Sequence, residues 1–323
     1  MTRAGTCALF LASAVLVAIG IPSNATASPA PIVWGATVKN SGTQTQIDAV
    51  HSFETKVGRT LRATRDFLTW DAPFPTSYEN ALKADGTTIL LSFSTKRLNG
   101  TGVSWASIAA ATPGSQLYLD MKSWADRVRD FGVPIYVTMQ HEPEVSSNTA
   151  QGNATEYQAA WRTWVGILRG EHADNAKALW IMTAYAFKVG VNDRRQAPKW
   201  YPGDDVVDAM GADLYNWTNC RANITNPWNS LQTLVEGLRL FSLAHTGPEL
   251  WIPEYASVED PAQAARRAAW LADAQALFQT PDYTRFKGIL YFDLKRVCDW
   301  RVEFVPGTLA AFSTMGADQY YSG

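Results

Sequence analysis

Residues 206–215 read VVDAMGADLY, residues 249–256 read ELWIPEYA and residues 288–294 read GILYFDL. Each stretch is a short, mostly apolar run that contains polar or aromatic residues near its end. Runs that are apolar on both faces are typical of parallel strands, which lie between a buried interior and an outer layer of helices. These three stretches therefore predict parallel strands rather than the alternating strands of a half-exposed sheet.

Five earlier runs have the same character. They are IVWGATV at 32–38, LRATRDF at 61–67, TTILLSF at 87–93, PIYVTM at 134–139 and ALWIMTAY at 178–185. Apolar residues at helical spacing fill most of the intervals, and Asp260-Pro261 is expected to begin the last of these helices as N-cap and first-turn proline. The interval 187–204 shows turn residues and charge but little periodicity, so we expect no full helix there.

Eight strands that alternate with helices predict a single (β/α)8 TIM barrel over residues 28–323. A doubly wound sheet is the alternative, but no Gly-rich dinucleotide or phosphate loop supports it, and no cofactor is predicted. The formal net charge of -2 argues against a nucleic-acid partner, because such binders usually present a basic excess on one face. We expect a monomer.

The first 27 residues have the features of a signal peptide. Arg3 precedes an apolar run over residues 7–21, and residues 25–27, ATA, form a small-x-small cleavage site. The apolar run is shorter than the roughly 20 residues that a membrane span needs. We therefore expect a secreted, extracellular protein with no membrane partner, whose mature chain begins at Ser28.

Signal removal leaves two cysteines, Cys220 and Cys298. An even number of cysteines in an exported chain allows one disulfide between them. Two buried free thiols are the alternative. We expect the disulfide, which would connect the chain after the sixth strand to the chain after the eighth.

Polar residues at the predicted strand ends are few and mostly acidic. The active site of a (β/α)8 barrel lies at the C-terminal ends of its strands, so these residues are candidate substrate contacts or catalytic groups. They are His141, Glu142, Asp213, Tyr215, Trp217, Glu254 and Asp293.

Glu142 and Glu254 end strands on nearly opposite sides of the barrel mouth, so they could face each other across a cleft. Glycoside hydrolysis needs one carboxyl group to protonate the departing oxygen and another to attack the anomeric carbon or activate water. A zinc HExxH motif is excluded because Val145 stands where its second histidine would be, and no G-x-S-x-G elbow is present. A metal site at His141 and solvated surface glutamates stay open as alternatives.

The chain has thirteen tryptophans and twelve tyrosines, most of which are expected to pack in the core. Aromatic residues near strand ends are candidate platforms on which sugar rings stack. They are Trp34, Trp70, Trp217 and Tyr291.

Several motifs in order resemble glycoside hydrolase family 26, a group of clan A. They are HE at 141–142, WYPGDDVVDAMGADLYNW at 200–217, WIPEYAS at 251–257 and FKGILYFDLKRVCDWRVEF at 286–304. The resemblance extends over nearly the whole mature chain and is strongest between residues 200 and 305. It implies a retaining endo-β-glycanase on a (β/α)8 barrel; activities in the family include β-1,4-mannanase, mixed-linkage β-glucanase and β-1,3-xylanase.

The resemblance also implies roles for single residues. Glu142, which follows His141, matches the acid/base of the family, and Glu254 matches its nucleophile. Tyr215 matches the tyrosine that hydrogen-bonds the nucleophile, and Tyr291 matches the aromatic floor on strand eight. An endo-β-mannanase that acts on β-linked polysaccharide is thus the first expectation, with β-glucan, β-1,3-xylan or a non-catalytic carbohydrate-binding barrel as alternatives.

Two differences from the family bear on the substrate. Family mannanases usually follow the strand-four glutamate with a tryptophan-rich stretch, whereas residues 144–154 here read EVSSNTAQGNA and contain no aromatic residue. The strand-eight platform is commonly tryptophan and is Tyr291 here. Both changes affect the choice of sugar more than the reaction.

The mechanism requires the two glutamates to differ in protonation. We expect desolvation and the charge of Glu254 to raise the pKa of Glu142, and hydrogen bonds from groups such as Tyr215 to keep Glu254 ionised. His141 is expected to orient Glu142 or bind the sugar or nucleophile. Glu144 follows Pro143, which ends the strand, and is expected to be a cleft-edge or structural residue.

Overall fold

The computed structural model describes residues 1–2, 30–220 and 226–323. Within them, eight parallel strands close into a barrel in chain order, which confirms the predicted (β/α)8 fold. The strands are β1 Val33–Thr37, β2 Ala63–Leu68, β3 Thr88–Phe93, β4 Ile135–Met139, β5 Ala176–Thr183, β6 Ala209–Asn216, β7 Glu249–Ser257 and β8 Phe286–Phe292. Almost all of the predicted signal peptide lies outside the described residues.

Eight α-helices in the described part of the chain surround the barrel. They are α1 Gln46–Val57, α2 Ser77–Ala84, α3 Trp105–Ala109, α4 Gln116–Phe131, α5 Ala154–Gly170, α6 Leu231–Ser242, α7 Arg266–Leu277 and α8 Pro306–Ala317. None of the helices in the described ranges is long and apolar enough to cross a membrane. Between β5 and β6 the chain forms only short 3₁₀ helices, at Ala184–Phe187, Ala197–Lys199 and Asp204–Val206, so the prediction of no full helix there is confirmed.

The predicted start of α7 is wrong. The helix begins at Arg266, five residues after Pro261, and Ala265 before it has a left-handed backbone with φ 66°. Asp260 does not act as its N-cap, because its carboxylate accepts hydrogen bonds from the Ala262 N–H at 3.0 Å and from Arg266 Nη1 at 2.6 Å. These bonds stabilise a turn ahead of the helix instead.

The barrel interior is filled by side chains rather than by solvent. It contains the buried residues Val33, Ala63, Leu90, Tyr136, Leu179, Ile181, Ala209, Trp251 and Leu290. The ring centroids of Trp251 and Tyr136 lie 4.5 Å apart, and Trp251 fits only because Gly288 faces it: a Cβ at Gly288 would lie 2.2 Å from Trp251 Cζ3. The large indole thus depends on a residue without a side chain.

A bulge in β7 determines which residues of this strand face the interior. Trp251 points inward, and strict alternation would then direct Glu254 outward towards the helices. The register with β6 shifts between Gly211 and Asp213, so that Asp213 pairs with Glu254. The extra residue lies at Pro253, whose missing N–H suits a bulge. Glu254 consequently faces the barrel axis, while Tyr255 packs outward against Trp270.

The disulfide between Cys220 and Cys298 is present, with a Cα–Cα distance of 5.7 Å. It connects the loop after β6 to the loop after β8, as predicted. Trp217 and Trp300 lie close to its two ends in the chain, and their ring centroids are 5.0 Å apart. The bridge therefore joins the two loops that carry these tryptophans.

Gly35→Ala should destabilise the barrel. A Cβ at Gly35 would lie 2.0 Å from the carbonyl oxygen of Ala63 on the neighbouring strand, so β1 and β2 would have to separate. We expect the free energy of unfolding to fall by about 2 kcal/mol or more, the usual cost of overpacking a core. Urea denaturation followed by tryptophan fluorescence measures this change.

Gly166→Ala is the matched control. Gly166 lies within α5 with no atom within 4 Å of the added Cβ. Alanine should raise the free energy of unfolding there by about 0.5–1 kcal/mol, because glycine inside a helix loses more backbone entropy on folding. Equal effects of the two substitutions would contradict the close approach of β1 and β2.

Candidate active site

The C-terminal ends of the strands open into a cleft with a volume of about 640 Å³. Its lining combines carboxyl groups, aromatic rings and basic side chains. The carboxyl groups are those of Glu142, Glu144, Asp213 and Glu254, the rings those of Tyr185, Tyr215, Trp217, Phe292 and Trp300, and the basic groups those of Lys188, Arg195 and Arg296.

Glu254 is held by two hydrogen-bond donors. Arg65 Nη1 donates to Glu254 Oε1 at 2.7 Å, and the Tyr215 hydroxyl donates to Oε2. Burial, followed by the negative charge of Glu254, raises the pKa of Tyr215 well above its ordinary value. Tyr215 therefore stays a neutral phenol that can donate this proton, and both oxygens of Glu254 are stabilised as carboxylate oxygens.

Arg65 lies at the centre of this network. Its side chain is fully buried, and its Nη1 also donates to the two oxygens of Asp213 at 3.1 and 3.3 Å. Its Nε donates to Ser92 Oγ at 3.0 Å on the adjacent strand. Although desolvation acts to lower the pKa of Arg65, the charges of Asp213 and Glu254 outweigh it and raise that pKa.

Asp213 shares this one cation with Glu254. Desolvation raises the pKa of Asp213 well above its usual range; Arg65 opposes the shift, and the charges of Glu254 and Glu142 add to it. Two buried carboxyl groups beside one guanidinium cannot both ionise at low cost. Arg65 bonds to both carboxyl groups and so holds Glu254 in one orientation.

Glu142 follows a sharp turn at the end of β4. Gln140 and Glu142 have positive φ angles of 54° and 48°, and the Glu142 N–H donates to the Ile181 carbonyl at 2.9 Å. Asn148 Nδ2 donates to the Glu142 carbonyl at 2.9 Å. Such strained conformations persist where the surroundings hold them, and here they direct the side chain into the cleft.

Glu142 has the electrostatic character expected of a proton donor. Desolvation raises its pKa to about 8, with further contributions from the charges of Glu254 and Glu144 and an opposing one from Arg65. No hydrogen bond to its carboxyl group is found among the described residues, whereas Glu254 accepts two from Arg65 and Tyr215. One cleft thus contains two glutamates in contrasting environments.

His141 lies beside the cleft rather than in its lining. Its ring packs edge-on against that of Phe67, with the centroids 5.5 Å apart, and the guanidinium carbon of Arg65 lies 4.8 Å from the centroid of the Phe67 ring. Burial, followed by the charge of Arg65, lowers the pKa of His141 well below its ordinary value. The imidazole is therefore neutral at physiological pH.

Glu144 is more deeply placed than a cleft-edge residue. Its side chain is completely buried, and Oε1 accepts hydrogen bonds from the Thr183 N–H at 2.8 Å and from the Thr183 hydroxyl at 2.6 Å. Burial raises the pKa of Glu144 to about 7. The structural part of the expectation agrees with these contacts, but Glu144 also lines the cleft.

The structure places two of the predicted aromatic platforms, Trp34 and Trp70, outside the cleft. Trp34 is fully buried between β1 and α8, with its ring 4.6 Å from that of Phe312. Trp70 is buried beside Phe93, and its Nε1 donates to Asp120 at 2.8 Å. Both are packing residues that face helices, because position near a strand end does not specify which face a side chain takes.

Tyr291 and Asp293, which were also predicted to contact substrate, do not line the cleft either. Leu290 lies in the barrel interior, so alternation directs Phe292 into the cleft and Tyr291 outward. The Tyr291 hydroxyl donates to the Trp300 carbonyl at 2.7 Å, and Asp293 accepts the Val302 N–H at 2.7 Å. Both residues hold the loop that presents Trp300 to the cleft.

Several residues that line or adjoin the cleft were not predicted from the sequence. Arg65 had a readable signal, since it is a charged residue inside the strand LRATRDF at the same parity as the inward-facing Ala63. Tyr185 had one as well, since it is an aromatic residue at the end of the predicted strand ALWIMTAY. Trp300 had none, because it lies on a loop whose path depends on the whole fold. The loop after β8 supplies Trp300 where the family resemblance pointed to the strand itself.

Within the described ranges, no group of three or more His, Cys, Asp or Glu residues could hold a metal ion. The suggested site at His141 therefore gains no support from the geometry. The Tyr215 hydroxyl instead bonds to Glu254, and the Tyr215 ring packs against those of Trp217 and Trp300, with centroid distances of 5.3 and 4.9 Å. Aromatic walls around paired carboxyl groups suit a sugar substrate.

Comparison with known proteins agrees with this geometry. The sequence model of glycosyl hydrolase family 26 matches residues 116–276, which carry Glu142 and Glu254. The chain belongs to glycoside hydrolase family 26. This family 26 chain is also 27% identical over 285 residues to Endoglucanase H of Acetivibrio thermocellus. The match covers 84% of this chain but 29% of that protein.

Solved structures show the same fold at low sequence identity. The catalytic domain of a family 26 endo-β-1,4-mannanase from Bacillus sp. JAMB-750 matches with a TM-score of 0.62 and 16% identity over 91% of this chain and 87% of that one. A family 26 β-mannanase from Bacteroides ovatus matches with a TM-score of 0.59 and 16% identity over 90% and 89% of the two chains. The fold of this family 26 glycoside hydrolase is thus shared with mannanases.

Replacing Arg65 by glutamine should destabilise the enzyme strongly. The substitution leaves Asp213 and Glu254 buried without their cation, and breaking such a pair costs about 3–5 kcal/mol. The double variant Arg65→Gln/Asp213→Asn should be more stable than Arg65→Gln alone, because one of the two carboxylates is then removed. Chemical denaturation of the wild type, both single variants and the double variant measures this coupling.

The destabilisation should depend on pH in a defined direction. Without Arg65 the pKa of Asp213 rises further above its unfolded value, so the folded state binds the proton more tightly. The loss in the free energy of unfolding is then largest at pH values above the raised folded-state pKa of Asp213, and it shrinks as the pH falls through that pKa. A loss independent of pH, or additive effects of Arg65→Gln and Asp213→Asn, would contradict the shared-cation arrangement.

Proposed function

We propose that this family 26 enzyme is a retaining endo-β-glycanase that uses Glu254 as nucleophile and Glu142 as acid/base. The observation that supports these roles is the contrast between the two carboxyl groups. Glu254 accepts hydrogen bonds from Arg65 and Tyr215, whereas burial raises the pKa of Glu142 to about 8. A nucleophile must be ionised and a proton donor protonated at the same pH.

The reaction proceeds in two displacements. Glu254 attacks the anomeric carbon while Glu142 gives its proton to the glycosidic oxygen, so the C–O bond breaks and the leaving sugar departs as an alcohol. Glu142, now a carboxylate, takes a proton from water, which attacks the same carbon and releases Glu254. Arg65 and Tyr215 orient the Glu254 carboxylate for the attack.

The proposed substrate is a β-linked polysaccharide, with β-glucan ranked before β-mannan. The endoglucanase relative is 27% identical to this chain, whereas the two mannanase structures described above are each 16% identical. The missing tryptophans after Glu142 also distinguish this cleft from the mannanases of the family.

We further propose that the protein is secreted after removal of residues 1–27. N-terminal sequencing of the protein recovered from the culture medium tests this, and we expect the sequence to begin at Ser28.

A polysaccharide panel tests the substrate. We expect hydrolysis of mixed-linkage or β-1,4-glucan to release a series of oligosaccharides from the start of the reaction, as endo action requires. Mannan and β-1,3-xylan, tested in parallel, are the competing substrates, and product sizing by chromatography separates endo from exo cleavage. Faster cleavage of mannan would reverse the order of the two sugars, and binding without turnover on the whole panel would contradict the proposed activity.

Azide distinguishes the roles of the two glutamates. Glu254→Ala should lose at least about a hundredfold in rate, and Glu142→Ala should lose about 10²–10⁴ on a natural substrate. With a 2,4-dinitrophenyl glycoside and added azide, Glu254→Ala should form the α-glycosyl azide by direct displacement. Glu142→Ala should form the β-glycosyl azide, because azide then attacks the glycosyl enzyme. NMR identifies the anomers.

Glu249→Ala is the control, since Glu249 lies at the other end of the same strand as Glu254 and bonds to Tyr136 and Lys177. Its rate on the dinitrophenyl substrate should stay near that of the wild type.

On a polysaccharide, the wild-type rate should fall above about pH 8, as Glu142 loses its proton. Azide products of the opposite anomers, or inverted hydrolysis products, would overturn the assignment.

A further inference from the structure

A tyrosine ring on the Glu142 side of the cleft is exposed yet held in one position. Tyr185 is 49% exposed and lines the cleft. The guanidinium carbon of Arg195 lies 4.2 Å from the centroid of its ring, and Arg195 Nη2 donates to the Tyr185 hydroxyl at 2.9 Å. Arg195 is fixed in turn by Asp193, at 2.8 Å. An aromatic side chain ordered before ligand arrives loses little entropy on binding.

The backbone beneath Tyr185 is tied to the segment that follows Glu142. Glu144 Oε1 accepts hydrogen bonds from both the N–H and the hydroxyl of Thr183, the residue just before the 3₁₀ helix that contains Tyr185. Arg194 Nη1 donates to the Glu144 carbonyl at 3.0 Å. The proton donor and the tyrosine are therefore parts of one connected wall.

The side of the cleft that this wall occupies follows from the proposed chemistry. The anomeric carbon must lie over Glu254, and the glycosidic oxygen must lie against Glu142. The leaving sugar extends beyond that oxygen, on the side of the strands that carry Glu142 and Tyr185. The rings of Trp217 and Trp300 pack instead with that of Tyr215, whose hydroxyl bonds to Glu254.

We propose that Tyr185 is the platform on which the leaving-group sugar stacks, and that Glu144 is the positioning residue that holds this platform beside Glu142. This inference rests on the proposed function. It gives the chain an aromatic contact from the loop after β5 in place of the tryptophan-rich segment that is missing after Glu142. The subsite suits a neutral pyranose, because Asp193 neutralises Arg195 and Lys188 Nζ is bonded to the Thr233 carbonyl.

The leaving-group subsite of a retaining enzyme also binds acceptor sugars, so transfer to an added sugar measures it directly. The donor is 2,4-dinitrophenyl β-cellobioside with cellobiose as acceptor, or the corresponding mannobiose pair if the wild type prefers mannan. Mass spectrometry measures the tetrasaccharide and absorbance measures the dinitrophenolate released by every donor turnover, which gives the ratio of tetrasaccharide to dinitrophenolate at each acceptor concentration. This ratio depends on acceptor binding and is independent of how fast the donor reacts.

Tyr185→Ala should lower the transfer ratio about tenfold, since loss of one well-placed contact in a binding pocket has about this effect. Tyr185→Phe keeps the ring and should stay within about twofold of the wild type. Tyr185→Leu, which keeps apolar volume without a flat ring, should lose transfer as alanine does. Leu119→Ala, at a residue 47% exposed on α4, is the control and should behave as the wild type.

Two substitutions test the positioning role of Glu144. Glu144→Gln retains an acceptor oxygen for Thr183, whereas Glu144→Leu removes it, and both remove the charge near Glu142. We expect Glu144→Leu to lower the transfer ratio more than Glu144→Gln does. Equal ratios in the two variants would mean that the hydrogen bonds to Thr183 do not position the platform.

The outcomes for Tyr185 are distinct from a failure of the proposed function. If the wild type turns over no donor, the glycanase assignment itself fails. If the wild type hydrolyses the donor but transfers nothing at high acceptor concentration, or if Tyr185→Ala transfers as well as the wild type, the subsite is overturned while the activity stands. An equal loss in Tyr185→Phe would assign the effect to the hydroxyl and overturn stacking.

Discussion

The candidate active site depends on the ion pairs that Arg65 makes with Asp213 and Glu254. Its guanidinium is fully buried between Asp213 and Glu254, at 3.1 and 2.7 Å from their carboxylate oxygens. Removing these three charges from water is costly, and the cost is offset only while each has its partners. The network therefore holds Glu254 in place, and removal of any one partner leaves the others without their hydrogen bonds or opposite charge.

A geometric constraint on β7 supports this network. A strand alternates its side chains between two faces, and Trp251 already occupies the interior. The bulge at Pro253 adds one residue, so Glu254 faces Arg65 instead of the helices. The same change of face turns Tyr255 outward, where it packs against Trp270. A local irregularity thus places Glu254 beside Arg65 and also places Tyr255 in the packing of the outer layer.

The two glutamates of the cleft have contrasting surroundings. Glu254 has donors on both oxygens, while Glu142 is desolvated and lies near other negative charges, which raises its pKa to about 8. The sharp turn after β4 directs Glu142 into the cleft, and Glu144 then connects this segment to Thr183. Segments after β5, β6 and β8 add the rings of Tyr185, Trp217 and Trp300 to the cleft.

The amino-acid sequence by itself determined the barrel, because eight apolar runs separated by helical periodicity admit few other folds, and it identified Glu142 and Glu254 because acidic residues at strand ends are few. It also indicated the bridge between Cys220 and Cys298. It failed for Trp34 and Tyr291, which are near strand ends but point towards helices, and for Asp260, whose carboxylate bonds to Arg266 instead of capping α7. Only the tertiary structure decided which face each side chain takes, that Arg65 meets Asp213 and Glu254, and that Glu144 bonds to Thr183. These contacts join residues far apart in the chain, and their geometry depends on strand register and loop path, which local sequence patterns do not specify.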